Sequence, residues 1–128
     1  MRIEHVGLWV RDLEAAREFY ARHFGCECGA RYTNAAKGFS SYFLGFPGGA
    51  RLELMTRIGL LEVPPRLQTG YAHLALAVDG DEAVRALTGR LRGQGVRVES
   101  EPRRTGDGYY ESVVLDPEGN RIEIVSAG

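Results

Sequence analysis

The feature that most constrains this 128-residue chain is an internal duplication. Shifted by 70 positions, Pro47-Gly48-Gly49-Ala50-Arg51-Leu52-Glu53-Leu54 lies over Pro117-Glu118-Gly119-Asn120-Arg121-Ile122-Glu123-Ile124, with Pro, Gly, Arg and Glu shared and the apolar positions in step. Phe39 to Leu44 lies over Tyr109 to Val114 at the same shift. At a shift of 68, Ile3-Glu4-His5-Val6-Gly7-Leu8-Trp9-Val10 lies over Tyr71-Ala72-His73-Leu74-Ala75-Leu76-Ala77-Val78, and each is followed by an acidic residue and a helical pattern. A repeat of about 60 residues implies one supersecondary unit used twice.

Each copy reads as βαβββ. The first strands, Ile3 to Val10 and Tyr71 to Val78, alternate apolar faces. Asp12 is placed to cap a helix from Leu13 to His23, and Asp81 one through Val84, Leu87 and Leu91 that stops at Gly93 or Gly95. Three strands then follow, near Glu27 to Thr33, Gly38 to Gly45 and Ala50 to Thr56, and near Arg97 to Ser100, Tyr109 to Leu115 and Asn120 to Val125. The expected organisation is a first module over 1–56, a linker over 57–70 centred on Pro64-Pro65, and a second module over 71–128, together one α+β domain. A four-stranded sheet covered by a single helix leaves its other face bare. The two bare faces are expected to form a curved mixed sheet or open barrel around a cleft.

Sixteen basic against seventeen acidic side chains give no electrostatic reason to expect nucleic acid or an anionic membrane as partner. No apolar run is long enough to span a bilayer, and the N-terminal residues lack a signal-peptide pattern, so a cytoplasmic address is expected. Cys26 and Cys28 lack the second pair of a structural zinc site and read as reduced thiols.

Within apolar strands four polar residues stand out. If Val6, Leu8 and Val10 pack under the helix, His5, Gly7 and Trp9 look the other way, and His73, Ala75 and Ala77 do the same in the second copy. Glu53 lies between Leu52 and Leu54, and Glu123 between Ile122 and Ile124, on the same open side. An enclosed carboxylate is costly unless paired or bound to a metal. Singly, each has a plain explanation: a hydrogen-bonded core histidine, or a glutamate paired with Arg51 or Arg121. Jointly, His5, Glu53, His73 and Glu123 make an N2O2 donor set suited to nickel, cobalt or zinc, and also to manganese or iron.

The pieces Glu4-His5-Val6-Gly7-Leu8, Phe19-Tyr20, Arg51-Leu52-Glu53-Leu54, Gly70-Tyr71-Ala72-His73-Leu74-Ala75 and Asp116-Pro117-Glu118-Gly119-Asn120-Arg121-Ile122-Glu123 resemble the vicinal-oxygen-chelate superfamily of glyoxalase I, bleomycin-resistance proteins, fosfomycin-resistance enzymes and extradiol dioxygenases. Bacterial glyoxalase I, the lactoylglutathione lyases, is the most similar branch, because its ligands are His, Glu, His and Glu at the matching positions. The resemblance implies one divalent metal per site and a lyase or isomerase acting on a 2-oxoaldehyde hemithioacetal through a metal-bound enediolate. Glu123 is then the proton carrier and Glu53 a second catalytic carboxylate. A homodimer is the expected assembly, and a small molecule, such as a thiol adduct, the expected partner.

The chain departs from short bacterial glyoxalase I at two glutathione-binding places, where Trp9 and Arg57 stand instead of Arg and Asn. Trp9 is read as an apolar wall, Arg57 as an anion binder, and the stretch Lys37 to Phe43 as lining the cleft through Phe39, Ser41 or Phe43. The stretch Arg103-Arg104-Thr105-Gly106-Asp107-Gly108 is read as an exposed hairpin loop, with Arg103 as an anion-binding group should it act as a lid. Two other classes remain: a non-catalytic, drug-resistance-type binding protein, and a metal-dependent oxygenase or epimerase.

Overall fold

The computed structural model describes residues 1–62 and 67–127. The chain divides into two compact units, one within 1–64 and one within 65–128. The centre of the expected linker, residues 63–66 with Pro64-Pro65, lies outside the described residues.

The first unit contains β1 (His5–Trp9), α1 (Leu13–Phe24), β2 (Glu27–Cys28), β3 (Tyr32–Asn34), β4 (Phe39–Gly45) and β5 (Arg51–Arg57). The second contains β6 (His73–Asp79), α2 (Asp81–Gly93), β7 (Val98–Arg104), β8 (Tyr110–Leu115) and β9 (Arg121–Ala127). The sheets run β1-β5-β4-β2, with β3 also on β4, and β6-β9-β8-β7. β2 and β3 together take the place that β7 has in the second sheet, so this is an α+β fold built twice on one topology. In each unit the opening strand pairs parallel with the closing one, β1 with β5 and β6 with β9, while the other pairs are antiparallel.

Alternation decides the buried face. Leu52 and Leu54 of β5 and Ile122 and Ile124 of β9 are buried, with Tyr42 and Leu44 of β4 and Val114 of β8. Against them pack Leu13, Ala16, Phe19 and Tyr20 of α1 and Val84 and Leu91 of α2. Each large apolar side chain so placed contributes roughly 1.5–3 kcal/mol relative to exposure. Two buried hydroxyls under α2 satisfy each other, with Thr88 Oγ1 lying 2.7 Å from Ser112 Oγ and donating to the Val84 carbonyl at 2.6 Å.

Asp12 caps α1 as expected, accepting from the Ala15 N–H at 3.0 Å, and Gly25 closes the helix with φ 62°. Asp81 does not cap α2. The chain leaves β6 through Gly80 at φ 90°, a conformation glycine permits, and the helix begins one residue early. Asp81 therefore sits inside the first turn, where the helix dipole favours it, and accepts from Arg104 Nη2 at 2.6 Å. The strand expected over Glu27 to Thr33 is broken into β2 and β3, and β7 runs further than expected, to Arg104. The turn before β9 is held by Asp116, whose Oδ1 accepts from the Glu118 and Asn120 N–H groups, both at 2.9 Å.

On the helix side of the first sheet, Glu14 accepts from the Tyr42 hydroxyl at 2.8 Å and from Arg31 at 2.6 Å. These bonds, Tyr42 first, hold its carboxyl below the usual carboxylate range. The folded state therefore prefers the anion, and the stabilisation is present at neutral pH and lost as pH falls through that range. Glu14→Gln is expected to lower the melting temperature at neutral pH, with the gap closing in acid; thermal melts across pH check this, and a constant gap would contradict it.

Candidate metal centre

The parallel pairing of β1 and β5 sets Gly7 beside Glu53 and His5 beside Arg51. His5 Nε2 lies 3.6 Å from Glu53 Oε1, with the glutamate side chain only 17% exposed. β6 and β9 repeat the arrangement, with Ala75 beside Glu123 and His73 beside Arg121. There His73 Nε2 lies 3.1 Å from Glu123 Oε1, and the glutamate is 19% exposed.

The neighbouring arginines do not take these carboxylates as their principal partners. Arg51 binds both carboxyl oxygens of Glu4, a contact that holds Glu4 below its usual range, and its guanidinium lies 4.2 Å from the centre of the Phe43 ring. Arg121 donates to Glu99 at 2.6 Å. Phe43 also meets the His5 ring edge-on at 5.3 Å, which steadies the imidazole from the side.

Each unit thus offers one imidazole nitrogen and one carboxylate oxygen side by side. That donor chemistry fits a borderline divalent cation, and two donors alone do not complete its coordination sphere. Among the described residues no group of three or more His, Cys, Asp or Glu side chains lies close enough to hold one ion.

The other expected residues are placed as follows. Trp9, 46% exposed, meets Phe39 edge-on with ring centres 6.1 Å apart. Arg57 ends β5 opposite Phe39 and is exposed. Arg103 belongs to β7 rather than to a loop, because its backbone pairs with Glu111 across β8. Its Nη1 donates to the Glu111 carbonyl at 3.2 Å, and its Nη2 lies 3.8 Å from Glu111 Oε1.

Glu111 is the residue that sequence reasoning missed. It lies on the face of the second sheet shared with Glu123 and is 12% exposed at the side chain. Burial first, and then the Glu123 carboxylate, push its carboxyl up, with Arg103 acting in the opposite direction. The available signal was an acidic residue at the parity of Val113 and Leu115 in an otherwise apolar run. Cys26, by contrast, is pushed up to about 11 by burial and by Cys28, so it remains a protonated, unreactive thiol at neutral pH.

Gly7 shapes the floor of the first pair. A Cβ there would lie 2.8 Å from Met55 Cε, so the thioether fills the notch the glycine leaves. Gly7→Ala is expected to fold, to cost about 1 kcal/mol of stability, and to push the flexible Met55 tip toward Trp9, its cross-strand neighbour. A shift in tryptophan emission with a small drop in melting temperature is the expected reading; unfolding, or an unchanged spectrum, would contradict it.

Lactoylglutathione lyase of Escherichia coli O157:H7 is 31% identical over 129 residues, which cover 98% of this chain and 92% of that protein. The crystal structure of glyoxalase I from Zea mays shares the fold with a TM-score of 0.82 at 24% identity; the match takes in 99% of this chain, which spans only 45% of the maize chain. Glyoxalase I of Leishmania major, described as trypanothione-dependent, matches with a TM-score of 0.79 at 24% identity, over 98% of this chain and 86% of its own. The glyoxalase/bleomycin resistance protein/dioxygenase profile matches residues 2–124, and the chain belongs to that superfamily.

Proposed function

We propose that this chain is a divalent-metal-dependent, glyoxalase-like lyase or isomerase acting on the hemithioacetal of a small 2-oxoaldehyde or a related carbonyl compound. The observation that supports it best is the recurrence of one His–Glu pair at equivalent register in both units, His5 with Glu53 and His73 with Glu123. The four side chains are the proposed ligands of one ion, with nickel, cobalt or zinc favoured over manganese or iron. When bound, such an ion supplies electrostatic stabilisation for negative charge developing on vicinal oxygens.

Glu123 is the proposed proton carrier, taking the proton from one substrate carbon and returning it to its neighbour. Its partial burial and the carboxyl of Glu111 beside it keep it out of bulk water, which favours a group that must exchange a proton in both directions. Glu53 is the second carboxylate, on a face that ends in Trp9, Phe39 and Arg57. A thiol other than glutathione fits a chain with Trp9 and Arg57 at those places, and a trypanothione-dependent relative supports that reading. The proposed setting is a cytoplasmic homodimer.

The test is metal content by mass spectrometry together with hemithioacetal turnover. The parent is expected to bind one divalent ion per ligand set, lost in the His5→Ala, Glu123→Ala double variant. Glu123→Gln is expected to reduce turnover by about 10²–10⁴-fold. Full turnover in Glu123→Gln removes the proposed role of Glu123. Stoichiometric ligand binding without metal or turnover assigns the chain to the non-catalytic binding class instead, and oxygen uptake to the oxygenases.

A further inference from the structure

The open face of the first sheet carries a feature that the repeat does not require. Two rungs beyond His5 stands Trp9, paired across to Met55, which pairs with Ser41, which pairs with Tyr32. On the next rung Arg57 pairs with Phe39. The Phe39 ring lies between the other two aromatics, 6.1 Å from Trp9 at 89° and 6.1 Å from Tyr32 at 61°. Trp9 and Tyr32 nonetheless remain 46% and 55% exposed.

The second unit builds the same strands with Ala77 and Ala127 at the places equivalent to Trp9 and Arg57. It keeps an aromatic, Tyr109, at the place of Phe39, and its sheet closes without the other two, so packing does not explain Trp9 or Arg57. Arg57 is exposed and has no ion-pair partner among the described residues, whereas Arg51, on the same face, is bound to Glu4. An aromatic trio with open ring surfaces next to an unneutralised guanidinium matches a flat ring bearing an acidic group. A ring is held by stacking and edge contacts, and a carboxylate by the fork of the guanidinium.

We propose that this face is a subsite for an aromatic carboxylate: the Trp9, Phe39 and Tyr32 rings hold the flat group and Arg57 holds the anion. This names the substrate class of the site proposed above, and it rests on that reading only for the chemistry carried out at the carbonyl end. The substrate, or the thiol that delivers it, is then an aromatic acid derivative rather than a purely aliphatic one.

Trp9 is the only tryptophan of the chain, so its emission reports binding without any turnover. The probes are phenylglyoxylate, which has ring, 2-oxo group and carboxylate; pyruvate, which lacks the ring; and acetophenone, which lacks the carboxylate. Phenylglyoxylate is expected to change Trp9 emission saturably, with pyruvate and acetophenone each at least about tenfold weaker, the loss expected for one good contact. Arg57→Gln, an exposed change checked for fold by circular dichroism, is expected to bring phenylglyoxylate down to the acetophenone level. Phe39→Leu is expected to weaken phenylglyoxylate and leave pyruvate unchanged.

Equal binding of phenylglyoxylate and pyruvate, or an unchanged affinity in Arg57→Gln, overturns the subsite. So does an emission change that follows protein dilution and ignores all three probes, which would assign the face to a second copy of the chain. Repeating the titration with the His5→Ala, Glu123→Ala variant separates the two proposals. Binding that persists where metal and turnover are absent from the parent leaves the subsite standing and the lyase reading wrong. Metal and turnover without selective binding give the reverse.

Discussion

In each unit the strand that opens the module is hydrogen-bonded, in parallel, to the strand that closes it. A hairpin cannot join parallel neighbours, so the chain must travel away and return, and the helix and the strands between make that excursion. The helix is thereby committed to one face, where Leu52, Leu54, Ile122 and Ile124 are buried beneath it. The other face carries the His–Glu pairs, set among apolar side chains such as Phe43 and Met55 in the first unit. Because the pairing is parallel and in register, a histidine near the start of the module and a glutamate near its end become neighbours on that face.

The two glutamates are tolerated there because the surrounding charges are arranged around them. Glu4 takes Arg51 and Glu99 takes Arg121, which leaves each carboxylate next to an imidazole instead of bound by the arginine two residues before it. A carboxylate so enclosed is costly unless a partner stands beside it, and in each unit that partner is the imidazole.

Much of this was legible in the sequence because it depends on period-two alternation and on repetition. The side of His5, Glu53, His73 and Glu123 follows from the apolar residues flanking them, and the βαβββ order follows from the spacing of runs and turns. The start of α2 was not legible in this way. Asp81 has the chemistry of a cap, and only the positive φ of Gly80 shows that the cap lies one residue earlier. Glu111 was hidden for a different reason: its meaning comes from Glu123 and Arg103, which reach it across the sheet, and one strand read alone shows only an interruption. The break between β2 and β3 likewise reflects pairing with two stretches of β4, Leu44 to Gly45 and Phe39 to Ser41.

The two copies share a backbone plan and differ at the rungs next to their common pair. Position 41 is Ser where position 111 is Glu, and positions 9 and 57 are Trp and Arg where 77 and 127 are both Ala. A protein made by joining two first modules would carry two aromatic faces and no Glu111. One made from two second modules would carry paired carboxyls twice and would lose Trp9 and Arg57, keeping Tyr109 at the place of Phe39. Both hybrids would keep every proposed ligand, yet each would lose one of the two faces. The two halves therefore share one plan and differ in what their open faces present: in one, aromatic rings and an exposed guanidinium; in the other, adjacent carboxyls.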